Sequence, residues 1–132
     1  MERGKRILVV EDSSGFRKLL ALIFGKTGCE VFEATNGLEA IGRARAIQPD
    51  LIIMDIELPG MFGDEVILRL KADESTSHIP VIVTTSYDRD DKIVRSAKAA
   101  GAAMVLYKPT PMKVFEEEVR RFLNVEPKPT SD

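Results

Sequence analysis

In this 132-residue chain, reactive side chains gather where short apolar runs end. Glu11 and Asp12 follow Ile7-Leu8-Val9-Val10, and Asp55 follows Leu51-Ile52-Ile53-Met54. Thr84, Thr85 and Ser86 follow Val81-Ile82-Val83, and Lys108-Pro109 follows Met104-Val105-Leu106-Tyr107. If the first and third runs are neighbours in a sheet, three carboxylates converge in one cleft. Two like charges ~4 Å apart repel by about 4 kcal/mol at an effective dielectric of about 20. Left uncompensated, such a cluster raises the pKa of at least one member. A hard divalent cation is the natural compensator, and Mg²⁺ takes one or two carboxylates while keeping waters. Lys108 supplies a further positive charge from the far side. Taken singly, an acidic residue after a strand as often merely solvates a loop end or caps a helix. Matching residue types at successive strand ends, with a Lys-Pro dipeptide among them, point instead to a site.

The elements that must hold these residues alternate along the chain. Residues 7–10, 51–54 and 81–84 are apolar, β-branched runs of the kind found in parallel strands covered on both faces. A weaker strand is predicted over 30–34 and a last one over 104–107. Between them, Ser13 or Ser14 is placed to cap a helix whose apolar face is Phe16, Leu19, Leu20 and Ile23, ending at Gly28. Asn36-Gly37 is a turn signal before a helix running through Ala46. Pro59, Gly60 and Gly63 make 55–63 a loop. A helix is predicted over 64–71 with Val66, Ile67 and Leu70 inward, and another over 90–100 stopping at Gly101. Thr110 is placed to cap a final helix with Pro111 in its first turn. Its expected inner face is Val114, Phe115, Val119, Phe122 and Leu123. Alternating units of this size predict an α/β, doubly wound parallel sheet with helices on both faces. Ligands bind at the carboxyl ends of such strands, where the reactive groups stand.

Composition bounds the rest. One domain over 1–124 is expected, with 125–132 (Pro127 and Pro129 among them) a disordered tail. With 19 Lys+Arg against 21 Asp+Glu and a net charge of −2, no broad basic surface for nucleic acid exists. No run approaches the ~20 apolar residues of a membrane span. The single cysteine, Cys29, excludes an internal disulfide and predicts a cytoplasmic location. Cys29 itself reads as a small core residue, His78 as a solvated loop residue, and Lys113, Arg120 and Arg121 as a mainly solvated helix face.

From Lys5 to Leu123 the sequence resembles the receiver domain of two-component response regulators. The resemblance is carried by 7–12, Asn36-Gly37, Pro49-Asp50 through Asp55, Leu58-Pro59-Gly60-Met61, Ile79-Pro80 through Thr85, and Tyr107-Lys108-Pro109. It implies a flavodoxin-like fold with five strands in the order 2-1-3-4-5 and five flanking helices. It also implies that Asp55 is a phosphoacceptor, taking a phosphoryl group from a phosphohistidine of a sensor histidine kinase or phosphotransfer protein. Asp12, Asp55 and the Glu57 carbonyl would bind Mg²⁺, with Glu11 acting through a water. Lys108 and Thr85 would hold phosphoryl oxygens, and the Lys108–Pro109 bond would be cis. The implied protein is a stand-alone signalling module rather than an enzyme. It would be a monomer or a weak phosphorylation-dependent dimer, bind an unknown downstream protein, and have no direct contact with nucleic acid and no membrane insertion.

The sequence departs from the family pattern in a few places. Val105 replaces the usual aromatic three residues before the lysine, and Tyr107 is predicted on the face opposite Lys108. Ser86 replaces a commoner alanine, and Phe62 stands where an acidic residue is frequent. With no aromatic at 105, switching is expected to run through Thr85 and the loop after it, with Tyr87 partly covering the site. Competing readings are a haloacid-dehalogenase-like phosphatase, a flavodoxin-like electron carrier and a receiver-like adaptor that is never phosphorylated. The phosphatase reading wants an aspartate where Glu57 stands. The electron carrier wants a Ser/Thr-rich phosphate loop after the first strand. The intact acidic set with Thr85 and Lys108 argues against the adaptor.

Overall fold

Wholly apolar runs demand cover on both sides, and that requirement shapes the molecule. The computed structural model describes residues 4–124, so the tail expected over 125–132 lies outside the described residues. In chain order the elements are β1 (Arg6–Val10), α1 (Ser14–Gly25), β2 (Glu30–Ala34), α2 (Gly37–Ile47) and β3 (Leu51–Asp55). They continue with α3 (Gly63–Ala72), β4 (Val81–Thr85), α4 (Lys92–Ala100), β5 (Met104–Tyr107) and α5 (Met112–Leu123). The strands are all parallel, in the order β2-β1-β3-β4-β5.

Alternation along each strand sorts side chains into two cores. Ile7, Val9, Leu51, Ile53 and Ile82 pack with Leu20 and Phe24 of α1 and Phe115, Val119 and Leu123 of α5. Leu8, Val10, Ile52, Met54, Val81 and Val83 pack under α2, α3 and α4. The chain leaves β1 towards β2 and returns to β3 on the other side, so the order reverses between β1 and β3. There the ends align, with Val10 beside Met54 and Asp55 beside Thr84.

Several local expectations are corrected. Ser13 occupies the N-cap position of α1, but its side chain makes no capping bond. That helix ends at Gly25 rather than Gly28, because its last turn tightens: Thr27 N–H donates to Phe24 and Gly28 N–H to Gly25. Gly28 instead takes a φ of 88° in the turn into β2. Leu19 is 42% exposed and Phe24 takes its place inside. Asp91 rather than Asp90 precedes α4. At the last helix, Pro111 itself is the N-cap residue, and the Thr110 hydroxyl donates back to the Tyr107 carbonyl instead of capping. Val114 is 44% exposed, leaving Phe115, Val119 and Leu123, one helical turn apart, as the buried row. Arg120 is not solvated: its side chain is largely covered and pairs with Glu116 at 2.5 Å. His78, Lys113 and Arg121 are exposed, and Cys29 is buried.

Candidate functional site

The reactive residues sit at or just past the ends of strands that cannot move without exposing their core. Asp55 ends β3 and its side chain is only 13% exposed. One carboxylate oxygen, Oδ2, lies 2.9 Å from the ammonium Nζ of Lys108. The other, Oδ1, accepts the Glu57 N–H at 2.9 Å. Behind this loop, Gly63 N–H donates to the Ile56 carbonyl at 2.7 Å. A Cβ at Gly63 would stand 3.0 Å from the Ile56 Cα, so a side chain there would force the loop and α3 apart by a few tenths of an ångström.

Glu11, just past β1, is buried, and its Oε2 has no hydrogen-bond partner. Its carboxyl is pushed up to about 8, chiefly by burial, then by hydrogen bonding to Asp55 and by the Asp55 charge; the Lys108 charge opposes this. Asp12 is exposed at the rim and reaches Glu11 only through its charge. Glu57 is also exposed, and its carboxylate accepts from the Tyr87 hydroxyl, which raises the pKa of that phenol. Across the cleft, Thr85 is fully buried; its Oγ1 accepts the Tyr87 N–H at 2.9 Å, and its carbonyl accepts the Lys108 N–H at 2.6 Å. The Lys108–Pro109 peptide is cis, and the Lys108 ammonium lies 5.0 Å from the centre of the Phe16 ring.

The structure therefore gathers Glu11, Asp55, Thr85 and Lys108 at the carboxyl edge of the sheet, with Asp12 and Glu57 at its margin. Among the described residues, no three His, Cys, Asp or Glu side chains form a ready-made metal cage. The donor set nevertheless fits Mg²⁺, which binds through few carboxylates and retains waters. The buried, unpartnered Glu11 oxygen beside the Asp55 carboxylate offers a cation a donor that no other group of the cleft uses. In this setting Asp12, Asp55 and the Glu57 carbonyl are the candidate ligands.

The sequence model of the response regulator receiver domain matches residues 7–120. The chain belongs to that family. This receiver is 34% identical over 120 residues to sporulation initiation phosphotransferase F of Bacillus subtilis, covering 91% of this chain and 94% of that one. Its fold superposes on the chemotaxis response regulator CheY4 of Vibrio cholerae with a TM-score of 0.83 at 27% identity, covering 90% and 98% of the two chains. It also superposes on the receiver domain of the sensor histidine kinase PA1611 of Pseudomonas aeruginosa, with a TM-score of 0.82 at 24% identity and 92% and 99% coverage. That crystal structure contains a magnesium ion coordinated in the active-site cleft. Receivers are signalling modules of two-component systems, and the phosphatase and electron-carrier readings give way to this one. No helix among the described residues is long and apolar enough to cross a membrane.

Two contacts escaped the sequence reading. Arg17, on the first turn of α1, bonds the Glu11 carbonyl and the Glu33 carboxylate. Arg89 stacks 4.7 Å from the centre of the Tyr107 ring, on the same face of β5 as Val105. The only local signal for the first was a basic residue shortly after an acidic pair. The second joins a loop to a strand and left no local signal.

Proposed function

We propose that this receiver accepts a phosphoryl group on Asp55 from the phosphohistidine of a sensor histidine kinase or phosphotransfer protein. The observation that carries the reading is Asp55 at the end of β3, 2.9 Å from Lys108 and beside the buried Glu11. An Asp55 carboxylate oxygen attacks phosphorus in line; the P–O bond forms as the P–N bond to the donor histidine breaks, and the departing imidazole keeps that electron pair. Mg²⁺, when bound, offsets charge on the phosphoryl oxygens. Asp12, Asp55 and the Glu57 carbonyl would hold it, with Glu11 acting through a water. Lys108 shifts from Asp55 towards a phosphoryl oxygen, retaining its charge at the reacting centre. Thr85 gives up its local bond from Tyr87 N–H and donates its hydroxyl to a second oxygen. The Ser86–Asp91 loop follows, changing the surface that a downstream protein reads in the cytoplasm.

Incubating the protein with acetyl phosphate and Mg²⁺ is expected to add one phosphoryl group, detected by intact mass. Asp55→Asn should show no gain, and omission of Mg²⁺ should slow the reaction sharply. Equal labelling of the Asp55→Asn protein would place the acceptor elsewhere.

A further inference from the structure

The segment carrying two of the candidate Mg²⁺ residues has little regular structure to hold it. Residues 11–13 lie in neither strand nor helix. The Glu11 N–H donates to the Ala34 carbonyl at 3.0 Å, which fixes where the chain leaves the sheet. Beyond that point, among the described residues, the Asp12 carboxylate has no hydrogen-bond or ion-pair partner, so only the backbone that carries it limits the space it can reach.

That backbone is gripped by Arg17. Its Nη1 donates to the Glu11 carbonyl at 2.8 Å and approaches the Asp12 carbonyl at 3.5 Å. Its Nε donates to Oε1 of Glu33, on β2, at 2.9 Å. The Arg17 side chain is only 14% exposed, so these bonds face limited competition from water. A guanidinium is a rigid planar fork, and its donors address both carbonyls and the carboxylate from one plane. One side chain thereby ties the first turn of α1, the acidic segment and the edge strand together.

We propose that Arg17 is a positioning residue: held by Glu33, it grips the Glu11–Asp12 backbone and aims both carboxylates into the cleft. The inference rests on reading that cleft as an Mg²⁺ site. Without Arg17, the segment is free to swing outwards, and the cation must then hold it in place. Partners of this outer kind commonly change metal affinity 10–100-fold.

The test is an Mg²⁺ titration of the full chain, followed through the amide NMR shifts of Glu11, Asp12 and Asp55. Arg17→Met is expected to weaken Mg²⁺ binding about tenfold. Arg17→Lys, which keeps the charge but not the fork, should recover part of the loss. Glu33→Gln, which touches no proposed ligand, should lower affinity less but in the same direction. Thr76→Val serves as the control, because it removes a buried bond to the Leu70 carbonyl at the other end of the molecule. It should lose stability in urea and keep its Mg²⁺ affinity. If Arg17→Met does not fold, Arg17→Lys and Glu33→Gln carry the test. Unchanged affinity in the Arg17 and Glu33 variants overturns the proposal, and so does an equal loss in Thr76→Val. Absence of Mg²⁺ binding in the wild type overturns the metal reading instead.

Discussion

At neutral pH the metal-free cleft carries less charge than its residues suggest, because Glu11 keeps its proton. Its folded carboxyl titrates at about 8 against 4.5 in the unfolded chain, with burial as the first cause. Between those values the folded state binds the extra proton, so raising the pH through this window destabilises the metal-free protein. Stability from this group is complete below about pH 4.5 and falls steadily towards pH 8. Glu11→Gln removes the titration. Relative to that variant, the wild type is expected to lose stability steadily between pH 5 and 8, measured by urea unfolding in EDTA. Parallel pH profiles for the two proteins would show that Glu11 ionises normally. The acidic residues and Lys108 were legible in the sequence because each follows an apolar run that could only be a strand. Their protonation was not, since it depends on the distance between β1 and β3 and on how deeply Glu11 is buried.

The loop between β4 and α4 is where a change at Asp55 must become a change of surface. Thr85 and Tyr107 are direct neighbours across β4 and β5, and Val83 is likewise opposite Val105. Tyr107 thus stands on the same face as Val105, as alternation requires, and its hydroxyl is buried without a partner. Arg89 covers its ring, so the loop is pinned to β5 by a contact worth about 0.5–1 kcal/mol. With a beryllofluoride mimic at Asp55, Thr85→Ala should shrink the amide shift changes of residues 93–97 and 105–107. Val105→Tyr should enlarge them by adding a side chain that can rotate inwards. Shifts in Thr85→Ala as large as in wild type would exclude this route. The central strands were legible because their interiors are continuous apolar runs, whereas β2, with Glu30 and Glu33, left a weaker signal. The order β2-β1-β3-β4-β5 came from family resemblance, because fully buried runs carry no record of their neighbours. The starts of α4 and α5 were misplaced: α4 begins after Asp91 rather than at Asp90, and Thr110, read as a cap, turns its hydroxyl back to the Tyr107 carbonyl.

Over the whole molecule, two cores fix a rigid frame and leave the chemistry on its edge. Phe115 joins α5 to α1 through Phe16 and Phe24, at ring-centre distances of 6.3 and 6.4 Å. Phe115→Ala should therefore cost about 3–5 kcal/mol in urea unfolding while leaving Asp55 competent for phosphorylation wherever the protein is folded. A loss of labelling in the folded variant would mean that the α1–α5 layer sets the cleft geometry. The placement of the tyrosines has an optical consequence. The chain has no tryptophan and two tyrosines, Tyr87 and Tyr107, so its ultraviolet emission arises from the residues that flank Thr85. Tyr87 donates its backbone N–H to Thr85, and Tyr107 is tucked under Arg89. Movement of the Ser86–Asp91 loop should change the surroundings of both rings, giving the unlabelled protein its own light signal for the switched state.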